Sequence, residues 1–276
     1  MDSTKQIAII TGGASGIGFA VCEALASRGD WIVNIFDRNA ERGQEAAQKI
    51  NAVFHAVDVA DYSSLDGAFK DVFKVNKRLD FVFANAGIVD DTSFYAVHDA
   101  ASDPPPFPTG VIDINLTSVL STSYLAQHYL RQTPRDDLGP RSIIVTSSCG
   151  GIYAAPSSPV YAAAKHGAVG WTRSIAGPLW RKDGIRVNAI LPGTVRTSLL
   201  PDQIWDMFPA QVYTPMQKIV DTVLMLLDND SVKAGDAGRH TPFVGQTVEV
   251  NCDKHYFRKQ DEYCDGIIGP IISTEP

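Results

Sequence analysis

The 276-residue sequence predicts an α/β protein with one doubly wound parallel sheet of about seven strands and helices on both faces. Two observations predict it. Short β-rich apolar runs alternate with longer amphipathic stretches, and the segments that carry chemical groups follow the ends of successive runs. In order, a strand at 6–11 leads into a glycine-rich turn and a helix from Gly16. A strand at 31–36 precedes a helix at 40–50, and a strand at 53–57 precedes a third helix. Then come a strand at 79–84, a long helix near 112–131, a strand at 142–146, a helix at 160–180, and strands at 186–191 and 247–251. Right-handed crossovers put helices on both faces and gather the carboxyl ends of the strands along one edge, where ligands of such sheets bind.

Two segments interrupt the alternation: 89–110, with Pro104, Pro105, Pro106 and Pro108, and 194–214 after the sixth strand. Long irregular segments inside a compact domain are usually functional or mobile. Residues 1–252 read as one domain that includes a substrate loop at 194–215. Residues 253–276 read as a tail whose Tyr256, Phe257, Tyr263 and four isoleucines need burial against the domain, in the substrate pocket or at a subunit interface.

Composition narrows the function. A formal charge of −7 argues against nucleic-acid and anionic-membrane partners, which need basic surfaces, and leaves a small molecule as the expected ligand. Four scattered cysteines form no disulfide framework, and neither they nor the six histidines have metal-ligand spacing, so no metal is expected. The start of the chain runs straight into the first strand without a signal-peptide pattern, and no apolar run approaches a membrane span. The expected location is cytoplasmic.

Between the first strand and first helix, Thr11-Gly-Gly-Ala-Ser-Gly-Ile-Gly18 offers backbone amides and a helix dipole to a pyrophosphate; Gly12, Ser15, Gly16, Ile17 and Gly18 are the candidate contacts. Read alone the octapeptide also fits a tight turn, but its position after strand one points to the nucleotide-binding corner of a Rossmann-type sheet. Nineteen residues beyond Gly18, Asp37 ends the second strand, where a carboxylate accepts hydrogen bonds from an adenosine ribose and repels a 2′-phosphate. That favours NAD, with NADP as the alternative because Arg38 is adjacent. Asp58 and Val59 follow the third strand, where a side-chain acceptor and a backbone amide meet an adenine.

Tyr161 and Lys165 stand four residues apart on one helical face, so a cation neighbours a phenol. Running proton transfer through a phenol at neutral pH requires stabilising its anion by roughly 3–4 kcal/mol. Thirteen residues before Tyr161, Thr146-Ser147-Ser148 closes a strand and offers hydroxyl donors to a substrate oxygen.

Together these motifs resemble the short-chain dehydrogenase/reductase family over residues 7 to about 250, with Asn85-Ala86-Gly87 after the fourth strand, Asn115 in the next helix and Pro192-Gly193 after the sixth. The resemblance implies Tyr161 as proton acceptor or donor, Lys165 binding the nicotinamide ribose and lowering the tyrosine pKa, Ser148 orienting substrate, and Asn115 holding a proton-relay water. It also implies that Asn85, Ala86, Gly87, Pro192, Gly193, Val195 and Thr197 contact the cofactor, and that long helices pair subunits into a homodimer or homotetramer. The stretch 159–174, PVYAAAKHGAVGWTRS, is similar to that of NAD-dependent 15-hydroxyprostaglandin dehydrogenases. Ala164 replaces a common serine, and Ala84 the first asparagine of a usual NNAG; neither removes a catalytic group.

The expectation is an NAD-dependent dehydrogenase oxidising a secondary alcohol on a mid-sized, largely apolar metabolite, since both irregular segments supply aromatics, Phe94, Tyr95, Phe107, Trp205, Phe208 and Tyr213, that either meet substrate or belong to the core. Its alternatives are an NADPH-dependent ketoreductase of secondary metabolism and a non-redox cofactor-binding protein or cyclase on the same scaffold.

Overall fold

The structure is a computed structural model that describes residues 5–90, 94–99, 103–134, 141–230, 233–235 and 241–274. Parts of the proline-rich insertion (91–93 and 100–102) and the last two residues of the tail lie outside the described residues.

Strands β1 (Gln6–Thr11), β2 (Trp31–Asp37), β3 (Val53–Ala56), β4 (Phe81–Ala84), β5 (Ser142–Thr146), β6 (Arg186–Pro192), β7 (Thr247–Asn251) and β8 (Lys254–Phe257) form one sheet. Its order is β3-β2-β1-β4-β5-β6-β7-β8, and every neighbouring pair is parallel except β7 and β8. Among the described residues the count is therefore eight, not about seven. The extra strand lies in the segment read as tail: after Cys252, held at φ +52°, the chain doubles back along β7. Its Lys-His-Tyr-Phe sequence is half exposed and lacks the apolar run that marks the inner strands. Lys254 at this edge also discourages further strand pairing.

Period-two alternation divides the inner strands between two cores. Ile7, Ile9, Val82, Ala84, Ile143 and Val145 point to one face, under Phe69 of α3 (Tyr62–Asn76), Leu130 of α5 (Ser118–Gln132) and Ala168 of α6 (Pro159–Asp183). Ala8, Ile10, Phe81, Phe83 and Ile144 point to the other, under Leu25 of α1 (Gly16–Arg28), Ala47 of α2 (Ala40–Ile50) and Leu226 of α8 (Met216–Asp228). The long helix expected at 112–131 begins as α4 (Gly110–Ile112) and passes through a π-helical turn (Asp113–Thr117) before α5. The strand order reverses between β1 and β4, which opens a crevice at their carboxyl ends.

The opposite edge of the sheet is closed by a buried ion pair. Asp80 accepts from Arg78 Nε and from the Ile7 amide, at 2.7 and 2.8 Å, joining the start of β1 to that of β4. Asp80→Ala leaves a buried guanidinium and an amide without this partner, and is expected to lower unfolding free energy by about 3–5 kcal/mol in urea titration. Ligand affinity at the far edge should be unchanged in the folded fraction.

Candidate active site

Above the crevice, three strand ends are tied together by side chains. The Thr11 hydroxyl accepts from the Asn85 and Ala86 amides at 2.9 and 3.1 Å; Asn85 Nδ2 donates to the Thr11 carbonyl, and Thr146 Oγ1 donates to Asn85 Oδ1 at 3.0 Å. Gly12 turns away from β1 at φ +64°, where a Cβ would lie 2.9 Å from Ala86 Cα. A Cβ on Gly18 would sit 2.3 Å from the Gly12 carbonyl oxygen. Glycine at both positions lets the turn fold back on the helix it precedes.

A cavity of about 550 Å³ runs along this edge. At one end stands Asp37, whose two carboxylate oxygens accept from the Ala14 and Asn39 amides at 3.2 and 3.0 Å. Asp58 and Val59 flank it, with Asp58 Oδ1 taking the Ala60 amide at 2.9 Å. In the middle lie Gly12, Ser15, Gly16 and Ile17, at the N-terminus of a helix with no acid in its first turn and no side-chain cap. The far end carries Asn115, Ser148, Tyr161 and Lys165, with Asn85, Ala86, Gly87, Pro192, Gly193, Val195 and Thr197 between. Of the residues singled out from the sequence, Gly18 alone is absent from the lining; its contact is with the Gly12 carbonyl.

Lys165 is 2% exposed, and its ammonium donates to the Thr146 carbonyl at 2.9 Å. Ser147 donates to the Lys165 carbonyl at 2.9 Å, so the end of β5 grips this turn of α6 twice. Burial pulls the lysine pKa down to about 8. The ammonium lies 5.6 Å from the centre of the Tyr161 ring. Burial pushes the phenol's pKa up; the Ser148 hydroxyl opposes this, while Cys149 and Asp90 reinforce it. Asn115 is fully buried in the π-helical turn; its Oδ1 accepts from the Ile88 amide at 3.2 Å, and its Nδ2 donates to the Ile88 and Val111 carbonyls.

Sequence reasoning missed two participants, the Thr146 backbone acceptor and Asp90, and offers Trp205 only as one aromatic of the irregular segments. The Thr146 backbone acceptor carries no side-chain signal. Trp205, between α7 (Asp202–Trp205) and the loop beyond, lines the cavity, donates to the Thr197 carbonyl at 2.7 Å and packs on Phe208 and Tyr213. Asp90 Oδ1 accepts from the Tyr161 amide at 2.9 Å across 71 residues, a separation no local pattern reveals. The irregular segment 194–214 is thus an ordered cover: Ser198 reaches Ser15 at 3.2 Å, and the Thr214 amide closes on the Thr194 carbonyl at 2.7 Å.

The cavity suits a dinucleotide. The open helix N-terminus matches a pyrophosphate, Asp37 matches a ribose, and the glycines leave the approach free. Among the described residues, no group of three His, Cys, Asp or Glu side chains is placed to hold a metal ion.

Comparisons with known proteins agree with this geometry. Residues 6–205 match the family model described as short chain dehydrogenase. The chain is 43% identical over 263 residues to the short-chain dehydrogenase/reductase prx7 of Penicillium rubens, covering 90% of this chain and 92% of that one. It is 34% identical over 208 residues to 15-hydroxyprostaglandin dehydrogenase of Homo sapiens, whose name specifies NAD(+), covering 72% of each. A crystal structure of 3-ketoacyl-(acyl-carrier-protein) reductase from Brucella melitensis complexed with NADH superposes with a TM-score of 0.71 at 21% identity, covering 89% of this chain and 96% of that one.

Burying Lys165 has a measurable stability cost. Its folded pKa of about 8 lies below the ordinary 10.5, so the folded state binds the proton less tightly than the unfolded chain. The penalty is fully present below pH 8 and fades as pH rises to 10.5. Lys165→Met is therefore expected to gain up to about 3 kcal/mol in unfolding free energy at pH 7. Denaturant titrations across this pH range should show that advantage shrinking above pH 8.

Proposed function

The chain belongs to the short-chain dehydrogenase family, and from that premise we propose that it oxidises a secondary alcohol of a mid-sized, largely apolar metabolite with NAD as its cofactor. Like its relatives it is an NAD(P)-dependent oxidoreductase acting on CH–OH groups. The observation that carries the finer reading is the pairing within one cavity of Asp37 at one end with Ser148, Tyr161 and Lys165 at the other.

In this reading Gly12, Ser15, Gly16 and Ile17 hold the pyrophosphate and Asp37 the adenosine ribose. Asp58 and Val59 meet the adenine, while Asn85, Ala86, Gly87, Pro192, Gly193, Val195 and Thr197 flank the nicotinamide half. Gly18 contributes indirectly, by letting the turn close. Bound NAD supplies the hydride acceptor. Ser148 and Tyr161 hold the substrate oxygen, and Tyr161 Oη takes the hydroxyl proton. Lys165 places positive charge under the forming phenolate, and Asn115 keeps a relay water beside Lys165. Ile88, Val89, Leu199 and Trp205 give the cavity apolar walls that favour a substrate with substantial hydrocarbon surface.

A second reading has its own observation: Arg38 and Arg42 also line the cavity beside Asp37, where they would suit the 2′-phosphate of NADP in a ketoreductase. The first reading further includes a cytoplasmic homodimer or homotetramer paired through α5 and α6, whose Tyr124 and Trp180 are exposed and would be covered. No helix among the described residues is long and apolar enough to cross a membrane.

Parallel fluorescence titrations with NADH and NADPH at one ionic strength test the cofactor assignment. NADH is expected to bind at least about ten-fold more tightly, the result of one unpaired phosphate–carboxylate repulsion; tighter NADPH binding would overturn the role given to Asp37. With an accepted apolar secondary alcohol, Tyr161→Phe should lower kcat by about 10²–10⁴-fold while leaving NADH affinity nearly unchanged. Turnover near the parent rate would remove the tyrosine from the chemistry.

A further inference from the structure

We propose that Asp90 is a positioning residue for Tyr161: from the start of the proline-rich insertion, its carboxylate caps the N-terminus of α6 and fixes where the phenol sits. The proposal rests on the reading of Tyr161 as the acid/base group.

The first turn of α6 lacks a local cap. Ser158, at the capping position, makes no side-chain bond to the helix, and Pro159 has no amide hydrogen. The first intrahelical bond runs from the Ala162 amide to the Ser158 carbonyl at 2.9 Å, so the Tyr161 amide just before it has no carbonyl of its own helix. Asp90 Oδ1 takes that amide at 2.9 Å. A carboxylate there is doubly favoured, by the hydrogen bond and by the positive end of the helix dipole. Because the bonded amide belongs to Tyr161 itself, any slackening of the cap moves the residue that carries the phenol.

Asp90 also joins the Tyr161 backbone to the cavity wall. Ile88 and Val89 line the cavity, and Asn115 holds both the Ile88 amide and carbonyl. The segment 88–90 is therefore pinned to the π-helical turn at one end and to α6 at the other. Substrate contacts on this wall and the acid/base group move as one body.

The groups acting on the phenol come from two further elements and from α6 itself. Ser148 and Cys149 lie in the turn just beyond β5, Asp90 on the insertion, and Lys165 one turn along α6. Asp90 contributes negative charge, which holds the proton on the phenol. Its two effects are separable, because asparagine keeps the acceptor oxygen and loses the charge.

The test compares the full-length protein with Asp90→Asn and Asp90→Ala by two readouts that need neither substrate nor cofactor. Ultraviolet difference titration, with a Tyr161→Phe counterpart of each protein subtracted, isolates one phenol among the nine tyrosines. Hydrogen exchange reports the Tyr161 amide. Asp90→Asn is expected to lower the Tyr161 midpoint, because the negative charge beside the phenol is lost, with exchange nearly unchanged. Asp90→Ala is expected to speed exchange of the Tyr161 amide about five-fold, the equivalent of one lost cap. An unmoved midpoint in Asp90→Asn, or unchanged exchange in Asp90→Ala, overturns the proposal. Should Asp90→Ala fail to fold, Asp90→Glu, which keeps the charge and displaces the acceptor, decides by the same exchange: an unchanged rate overturns the proposal. NADH titration of the same samples keeps the two readings apart: absent binding counts against the dehydrogenase reading and leaves both readouts intact.

Discussion

A charge held out of water organises this end of the molecule. Lys165 is buried with its ammonium against the Thr146 carbonyl, and the same burial that pulls its pKa to about 8 pushes the pKa of Tyr161 up. Both shifts have one cause, because a poorly hydrated pocket disfavours an ammonium and a phenolate alike when each stands alone. Brought together, each relieves the other. The phenol gives up its proton most easily when positive charge gathers beside it, which is what the proposed alcohol oxidation asks of this site. Such an arrangement costs stability, and the fold must supply that stability elsewhere.

The surrounding structure keeps the pair in place. β5 holds α6 through the Thr146 carbonyl and the Ser147 hydroxyl, on either side of the same lysine. The Thr11, Asn85 and Thr146 side chains lock the ends of β1, β4 and β5 in register, so the glycine-rich turn and the Tyr161–Lys165 pair stand at a fixed separation along one edge. Strands buried on both faces make that edge rigid. The cover over 194–214 closes through its own bonds and through the contact of Ser198 with Ser15, near the helix N-terminus.

Much of this was legible in the sequence, for particular reasons. Strands β1, β4, β5 and β6 are apolar runs buried on both faces, and such runs announce themselves. Tyr161 and Lys165 are four residues apart on one helix, and the glycine-rich turn is contiguous, so local spacing reveals both. Strand β8 was not legible, because a short, half-exposed edge strand after a turn without glycine shows no apolar run to set it apart from the tail that follows. Asp90 and the Thr146 carbonyl act through long-range or backbone bonds, which spacing does not encode. Gly18 shows the opposite limit: the motif includes it, yet it meets the Gly12 carbonyl and not the cavity.

The ionisation of Lys165 itself tests the account most directly. Carbon-13 NMR of protein labelled at lysine Cε, with the resonance assigned by its absence in Lys165→Met, follows this one amine through a pH titration. A midpoint near 8 is predicted, well below the ordinary 10.5 of an exposed lysine. A midpoint at 10.5 would contradict the account, because the ammonium would then be hydrated and the tyrosine would have no buried cation beneath it.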